Sequence, residues 1–453
     1  MRKKITYYST NRSAGEVSFR EALLKGLAPD GGLYMPSAIP QIGSDLLQSF
    51  KTKEYHEIAS EVLNCFLEEE IESDILSELC RQAYNFAVPV EEIEAGRYIL
   101  RLDRGPTASF KDFAARMMAR LMNHFLEKTG ERITILTATS GDTGSAVANA
   151  FSGLGQIDVI IFFPLNEVSP VQRKQMTTLK GNIRVVALDG KFDDCQAYVK
   201  KAFQDNDLLK LNLSSANSIN IGRLLPQSVY YFYAWSRVRE ESTDKVIFSV
   251  PCGNFGNLMG GIIAREMGLP VHRFVIATNE NDEVPEYFRS GCYTKISPSK
   301  NCISNAMNVG HPSNLSRIIA IYGGIMDEKG KILKEPDMEK MRKDFFAISI
   351  DDNSTKETVL DCFNSTGVIL DPHGAVAWKG LQVFLDLYQE STGERVPSVT
   401  LETAHPAKFG MEFLPASPLP ANLEKLNELE EEYTVAGNSY PDIKENLIQY
   451  KKR

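Results

Sequence analysis

Short segments that are apolar throughout alternate with amphipathic ones, and this constrains the chain more than any other feature. "RITILTAT" (132–139), "DVIIFFP" (158–164) and "IRVVALDG" (183–190) have no polar face, while "GSAVANAFSGLG", "VSPVQRKQMTTLKG" and "FDDCQAYVKKAFQ" follow them with helical spacing. The pattern returns in "KVIFSVP", "GNLMGGIIAREMG" and "RFVIATN", and a further apolar strand opens "SVTLETAHPAKF". A strand without a polar face must be covered on both sides, and helices between such strands are the crossovers of parallel sheets. The sequence therefore predicts an α/β fold with two domains of mainly parallel sheet covered by helices.

A mainly helical piece precedes them. "EVSFREALLKGLAPDGGLYMP" contains a helix stopped at Gly26, and "EYHEIASEVLNCFL" and "ESDILSELCRQAYNF" repeat apolar residues at helical intervals. The predicted division is residues 1–95 as this N-terminal domain, 96–130 with 216–453 as a large α/β domain, and 131–215 as a small one. The charged stretch "LEKLNELEEEYT" is predicted to be a solvated helix.

Composition excludes several classes of function. A net charge of −9 across 453 residues leaves no electrostatic footprint for nucleic acid. Seven scattered cysteines without a CxxC pair point to a reducing compartment rather than a disulfide framework or zinc site. The start "MRKKITYYSTNR" has no apolar stretch behind it, and no apolar run is long enough for a membrane span. The expectation is a cytoplasmic protein that binds neither nucleic acid nor membrane, with monomer and dimer equally open. The six histidines lack metal-ligand spacing, so no metal is expected, and only His373 and His405 fall in motifs of interest.

Ligands of parallel sheets bind beyond the carboxyl ends of the strands, which directs attention to a few loops. "TSGDTGSA" (139–146) runs into a helix start whose free amides suit an anion, although Ser140, Asp142 or Thr143 could equally be an ordinary cap. "SVPCGNFGNLMGG" (249–261) places Gly253 and Gly256 for close backbone approach, with Asn254, Phe255 and Asn257 between and after them. Its glycine spacing does not match the dinucleotide fingerprint, so a phosphate cradle is the better reading. Thr403 stands at the end of an apolar strand, where a hydroxyl is usually a cap. "SSANSINIGRLLPQ" gathers Asn217, Ser218, Asn220 and Arg223 ahead of an aromatic helix, as a cap for that helix or as a phosphate-recognition group.

"GPTASFKDFAAR" (105–116) sets Lys111 at a helix start between Phe110 and Phe113. A cation is disfavoured at the positive end of a helix dipole and among apolar neighbours, which makes a free nucleophilic amine easier to obtain. A poised lysine, a phosphate loop, an anion-binding helix start and a lone hydroxyl together suit pyridoxal 5'-phosphate.

With "SGDTG", "NSINIGRLLPQ", "GNFGN", "DPHGAVA" (371–377) and "TAHPAKF" in this order, the chain resembles the threonine synthase family, with the N-terminal extension of its longer form. The resemblance implies the pyridoxal-phosphate fold of the tryptophan synthase β-subunit type. It implies Lys111 as the lysine joined to the cofactor, and Gly253, Asn254, Phe255, Gly256 and Asn257 as the cofactor's phosphate loop. Thr403 matches the hydroxyl facing the pyridine nitrogen. Ser140, Asp142 and Thr143 match the loop near the substrate carboxylate, and Asn217, Ser218 and Arg223 the group for the substrate's phosphate. The implied reaction converts O-phospho-L-homoserine and water to L-threonine and phosphate, by γ-elimination and β-addition. Asp103 and Arg104 depart from the Phe-His common in the family, and Ala114 and Ala115 stand where a glycine is frequent. A serine or threonine dehydratase of the same fold is the rival enzyme. A cofactor-free nucleotide-binding or regulatory module is the rival of another class.

Overall fold

A computed structural model describes residues 4–240, 244–411 and 417–450. Its two main sheets account for the apolar strands. The larger has six strands in the spatial order Phe345–Ser349, Val271–Thr278, Val246–Pro251, Ser398–Glu402, Arg97–Arg101 and Val90–Glu94. All neighbours in it are parallel except the last pair. The smaller has five parallel strands in the order Thr434–Ala436, Ile183–Leu188, Ile157–Pro164, Ile133–Ala138 and Leu213–Ser214. Every residue of Ile133–Ala138 and Val246–Pro251 is buried, as continuous apolar strands require. Among the described residues no helix is long and apolar enough to cross a membrane.

The tail departs from expectation in two ways. The stretch predicted as one solvated helix breaks into two short turns, Ala421–Glu424 and Lys425–Glu428. Beyond it, Thr434–Ala436 pairs with Ile183–Leu188, and Ile443 and Leu447 of the helix Tyr440–Tyr450 are buried in the core of the smaller sheet. The end of the chain thus closes the smaller sheet instead of extending the larger one, with Ile443 and Leu447 covered by that sheet's core.

The N-terminal piece matters for the site because it buttresses one helix. Ser18 and Glu21 form a capping box on Phe19–Lys25, which Gly26 ends at φ 72°. The helix Tyr55–Leu67 and the residues that follow the helix Ser73–Ala83 present the rings of Tyr55, Tyr84 and Phe86 to Phe113 on the helix Lys111–Thr129. Phe113 has no exposure and lies 5.2 Å from Tyr55, 5.0 Å from Phe86 and 5.8 Å from Tyr230, centroid to centroid. Rings at these separations fix the helix in rotation and depth, and so fix where Lys111 stands.

Candidate active site

The turn before Lys111 is locked from two directions. Asp112 accepts hydrogen bonds from the Thr107 amide at 2.8 Å and the Thr107 hydroxyl at 2.7 Å. Gly105 passes so close that a Cβ there would lie 2.4 Å from Asp112 Oδ2. From the other side the Phe110 amide donates to the Thr403 carbonyl at 2.8 Å, and the His405 amide donates to the Ala108 carbonyl at 3.0 Å. This stitching brings Thr403, one residue past its strand, against the start of the Lys111 helix. Thr403 is buried and caps no helix. His405 caps the short turn Pro406–Lys408, and burial lowers its pKa to about 4, so it is neutral at neutral pH.

Lys111 opens its helix with no side-chain cap, as the sequence predicts. Its side chain is 14% exposed, and Nζ sits 3.6 Å from Asp142 Oδ2. Burial depresses the Lys111 pKa, Asp142 opposes this, and the Lys408 and Arg223 cations add to it. Desolvation thus leads the shift toward a neutral amine.

Asp142 comes from the "SGDTG" turn, where Gly141, not a side chain, occupies the cap of Asp142–Phe151. Thr139 Oγ1 accepts from the amides of Gly141 and Gly144 at 2.9 and 2.8 Å. The capping alternative for Ser140, Asp142 and Thr143 therefore fails, and Ser140 and Thr143 are half-buried beside the carboxylate. Asp142 Oδ1 receives Lys408 Nζ at 2.5 Å and Gln172 Nε2 at 2.9 Å. Although burial acts to raise its pKa, Lys408 and Lys111 hold Asp142 well below the usual carboxylate range.

In the glycine loop, Phe255 is held in the left-handed region at φ 59° before the helix Gly256–Glu266, a backbone state seldom kept by a non-glycine residue away from functional sites. The loop is tight at Gly253, where a Cβ would lie 2.8 Å from the Ala306 carbonyl oxygen. At Gly256 the nearest atoms, on Asn314, Ser218 and Gln227, stand 3.5–3.8 Å away. The two glycines thus do different work, one accommodating a neighbouring backbone and one leaving room beside Ser218. Asn254 is tied by its carbonyl to Asn314 Nδ2 at 2.9 Å. Asn257 Oδ1 accepts both the Tyr230 and the Tyr231 hydroxyls, at 2.6 and 2.9 Å.

The "NSINIGR" segment lies alongside. Asn220 is a plain cap, its side chain accepting from the Gly222 amide, which removes it from the recognition group. Asn217, Ser218 and Arg223 remain. Arg223 is buried and donates through Nη1 to the Ala216 carbonyl at 2.7 Å. Burial brings its pKa down to about 10, which leaves it charged at neutral pH.

Three buried polar atoms here lack partners: Arg223 Nε, Asn257 Nδ2 and Asn217 Oδ1. Unsatisfied buried donors are costly, and the two here, the Arg223 guanidinium Nε and Asn257 Nδ2, suit anionic oxygens such as those of a phosphate. Asn257 Nδ2 in the glycine loop, with Lys111 and Thr403, fits pyridoxal phosphate, and the Arg223 donor suits a second phosphate beside it.

Comparison with known proteins agrees over the whole chain. A threonine synthase N-terminal model matches residues 6–84, a pyridoxal-phosphate-dependent enzyme model residues 85–396, and a threonine synthase C-terminal model residues 379–448. The threonine synthase of Escherichia coli is 40% identical over 396 residues, 87% of each chain, and that of Pseudomonas aeruginosa is 37% identical over 99% of each. The chain belongs to the threonine synthase family. The crystal structure of pyridoxal-phosphate-bound threonine synthase from Brucella melitensis superposes with a TM-score of 0.90, at 36% identity, covering 99% of this chain and all of that one. The enzyme is thus a pyridoxal-phosphate-dependent threonine synthase of this fold, and the dehydratase and cofactor-free alternatives give way.

Some residues of the site are not singled out by the sequence argument. Lys408 lies in "TAHPAKF", yet its full burial and its bond to Asp142 come from a distant loop. Arg317 carries no motif. It is fully buried, its pKa brought down to about 9 by desolvation, and it donates to the carbonyls of Tyr34, Ser218 and Ile219 and to Asn314 Oδ1. It thereby joins the N-terminal piece to the "NSINIGR" segment and, through Asn314, to the glycine loop. His373 accepts from the Ala306 amide at 3.2 Å and is paired with Asp371, the cap of Pro372–Thr392, so it supports the loop that abuts Gly253. Asp103 is fully buried in a two-pronged pair with Arg101, at 3.0 and 2.6 Å, so Arg101 compensates for the acidic residue where the family often has phenylalanine.

Valine at position 253 is expected to force the loop away from Ala306 and weaken cofactor binding. Titration of the apoenzyme with pyridoxal phosphate, followed by visible absorbance, checks this, and binding as tight as in the parent protein would refute it.

Proposed function

We propose that this chain makes L-threonine and inorganic phosphate from O-phospho-L-homoserine and water, with the roles below. When bound, the cofactor supplies an electron sink for charge developing at substrate carbons. Lys111 holds it through Nζ and, once freed by the substrate's amine, takes up the α proton as a neutral base. Residues 253–257 would hold the cofactor's phosphate, and the Thr403 hydroxyl would serve as a neutral partner for its pyridine nitrogen. Ser140, Asp142 and Thr143 present the amides and hydroxyls of a helix start to the substrate carboxylate. Asn217, Ser218 and Arg223 bind the substrate's phosphate and balance charge as it leaves.

The observation that carries the phosphate specificity is the buried Arg223 guanidinium, which donates to no carboxylate among the described residues and keeps Nε without a partner. Incubating the pyridoxal-phosphate-loaded protein with phosphohomoserine should release threonine and phosphate in equal amounts. Ammonia and a keto acid from serine or threonine, without phosphate release from phosphohomoserine, would overturn the assignment.

The same reading divides the chain into an N-terminal domain of residues 1–95 and a cofactor-binding domain of 96–130 with 216–453, less the tail that pairs with the smaller sheet. The smaller domain, 131–215, is joined by the tail strand. The cytoplasm is the proposed compartment, in keeping with seven free thiols.

A further inference from the structure

Two lysines share one buried carboxylate in this site. Lys408 Nζ is 2.5 Å from Asp142 Oδ1 and Lys111 Nζ is 3.6 Å from Oδ2, while the Lys408 side chain has no exposure at all. Lys408 is further held by the Thr107 carbonyl at 3.0 Å, in the turn that leads to Lys111. Gln172 Nε2 meets the same Asp142 oxygen at 2.9 Å. Lys408, Gln172 and Ser169 also line a cavity of about 560 Å³ that reaches Asn305 and Pro372. A bare Asp142 beside Lys111 would favour a protonated nitrogen there, the wrong state for a base. Lys408, closer to the carboxylate, cancels that charge.

We propose that Lys408 is a positioning residue that neutralises Asp142 and so keeps the Lys111 nitrogen free of its proton in the working pH range. The proposal rests on Lys111 as the cofactor-bearing lysine. Other charges face this group. Arg223 acts on Lys111, Asp112 lies within the field of Lys408, His405 is neutral, and Glu167 and Lys356 line the cavity. None of these bonds to Asp142, so the two lysines dominate its surroundings.

The test is a pH titration of the visible absorbance of the holoenzyme, which reports protonation of the nitrogen joining Lys111 to the cofactor. In Lys408→Met the uncompensated carboxylate should raise the midpoint by roughly 1–3 pH units. The acid limb of kcat should move in the same direction. Asp142→Asn should lower the midpoint, since Lys408 then acts unopposed, and the double variant should return near the parent value. Lys408→Arg should keep the parent midpoint. If Lys408→Met does not fold because it strands a buried charge, Asp142→Asn and the double variant carry the test. A midpoint that stays at the parent value in Lys408→Met or in Asp142→Asn, or a double variant that stays as displaced as Asp142→Asn, overturns the proposal even if activity falls. A parent holoenzyme whose cofactor is joined to another lysine overturns the reading beneath it instead, and mapping the borohydride-reduced protein distinguishes the two.

Discussion

Lys111→Ala is expected to lose the visible band of the bound cofactor and essentially all turnover. Two effects combine. With the roles proposed for Lys111, the covalent hold on the cofactor disappears, and so does the base for the α proton, a role worth roughly 10²–10⁴-fold by itself. The surroundings offer no substitute. Lys408 is the other lysine on Asp142, but its ammonium is bound at 2.5 Å to the carboxylate and at 3.0 Å to the Thr107 carbonyl. The helix itself should survive, because Phe113, Met117 and Leu121 stay packed and alanine is a good helix former. The loss is therefore chemical, and far-ultraviolet circular dichroism should match the parent. Borohydride reduction of the parent holoenzyme followed by peptide mapping should label Lys111. A label on Lys408, or a variant that keeps the band, would refute the assignment.

The second large effect is expected at Arg223. A charge-assisted contact to a phosphate dianion is worth about 1.5–3 kcal/mol, so Arg223→Ala should lower kcat/KM roughly 10- to 150-fold. Charge that grows as phosphate departs would put part of the loss on kcat. The guanidinium also holds the Ala216 carbonyl at 2.7 Å, so alanine loosens the segment carrying Asn217 and Ser218 and pushes the loss toward the upper end. Arg223→Lys keeps the charge without the fork and should recover only part. Cofactor retention should barely change if, as proposed, residues 253–257 hold the cofactor's phosphate separately. Two readouts on one variant decide the matter: bound cofactor, and phosphate released from phosphohomoserine. A variant that sheds cofactor yet turns over normally in excess pyridoxal phosphate would place Arg223 on the cofactor's phosphate.

Local chemistry made much of this protein legible in its sequence. Apolar runs such as "KVIFSVP" and "RITILTAT" become buried strands because their side chains have no polar alternative, and Gly26 ends its helix because it alone adopts φ 72° there without strain. The loops at the strand ends were legible too, since parallel sheets place ligands there, and Lys111 stood out because its position is a poor one for a cation. Tertiary structure decided what depends on a distant partner. Asn220 is a cap and Arg223 a buried cation with no carboxylate partner among the described residues, a difference within one short motif that only burial and neighbouring carbonyls reveal. Arg317 matters because Tyr34, the segment at Ser218 and Ile219, and Asn314 converge on it. Thr434–Ala436 belongs to the smaller sheet because the edge of Ile183–Leu188 offers it hydrogen bonds. The sharing of Asp142 by Lys111 and Lys408 has the same origin. Charge pairing acts through space, and the energy of a buried pair is set by the water excluded around it, a quantity no single stretch of sequence contains.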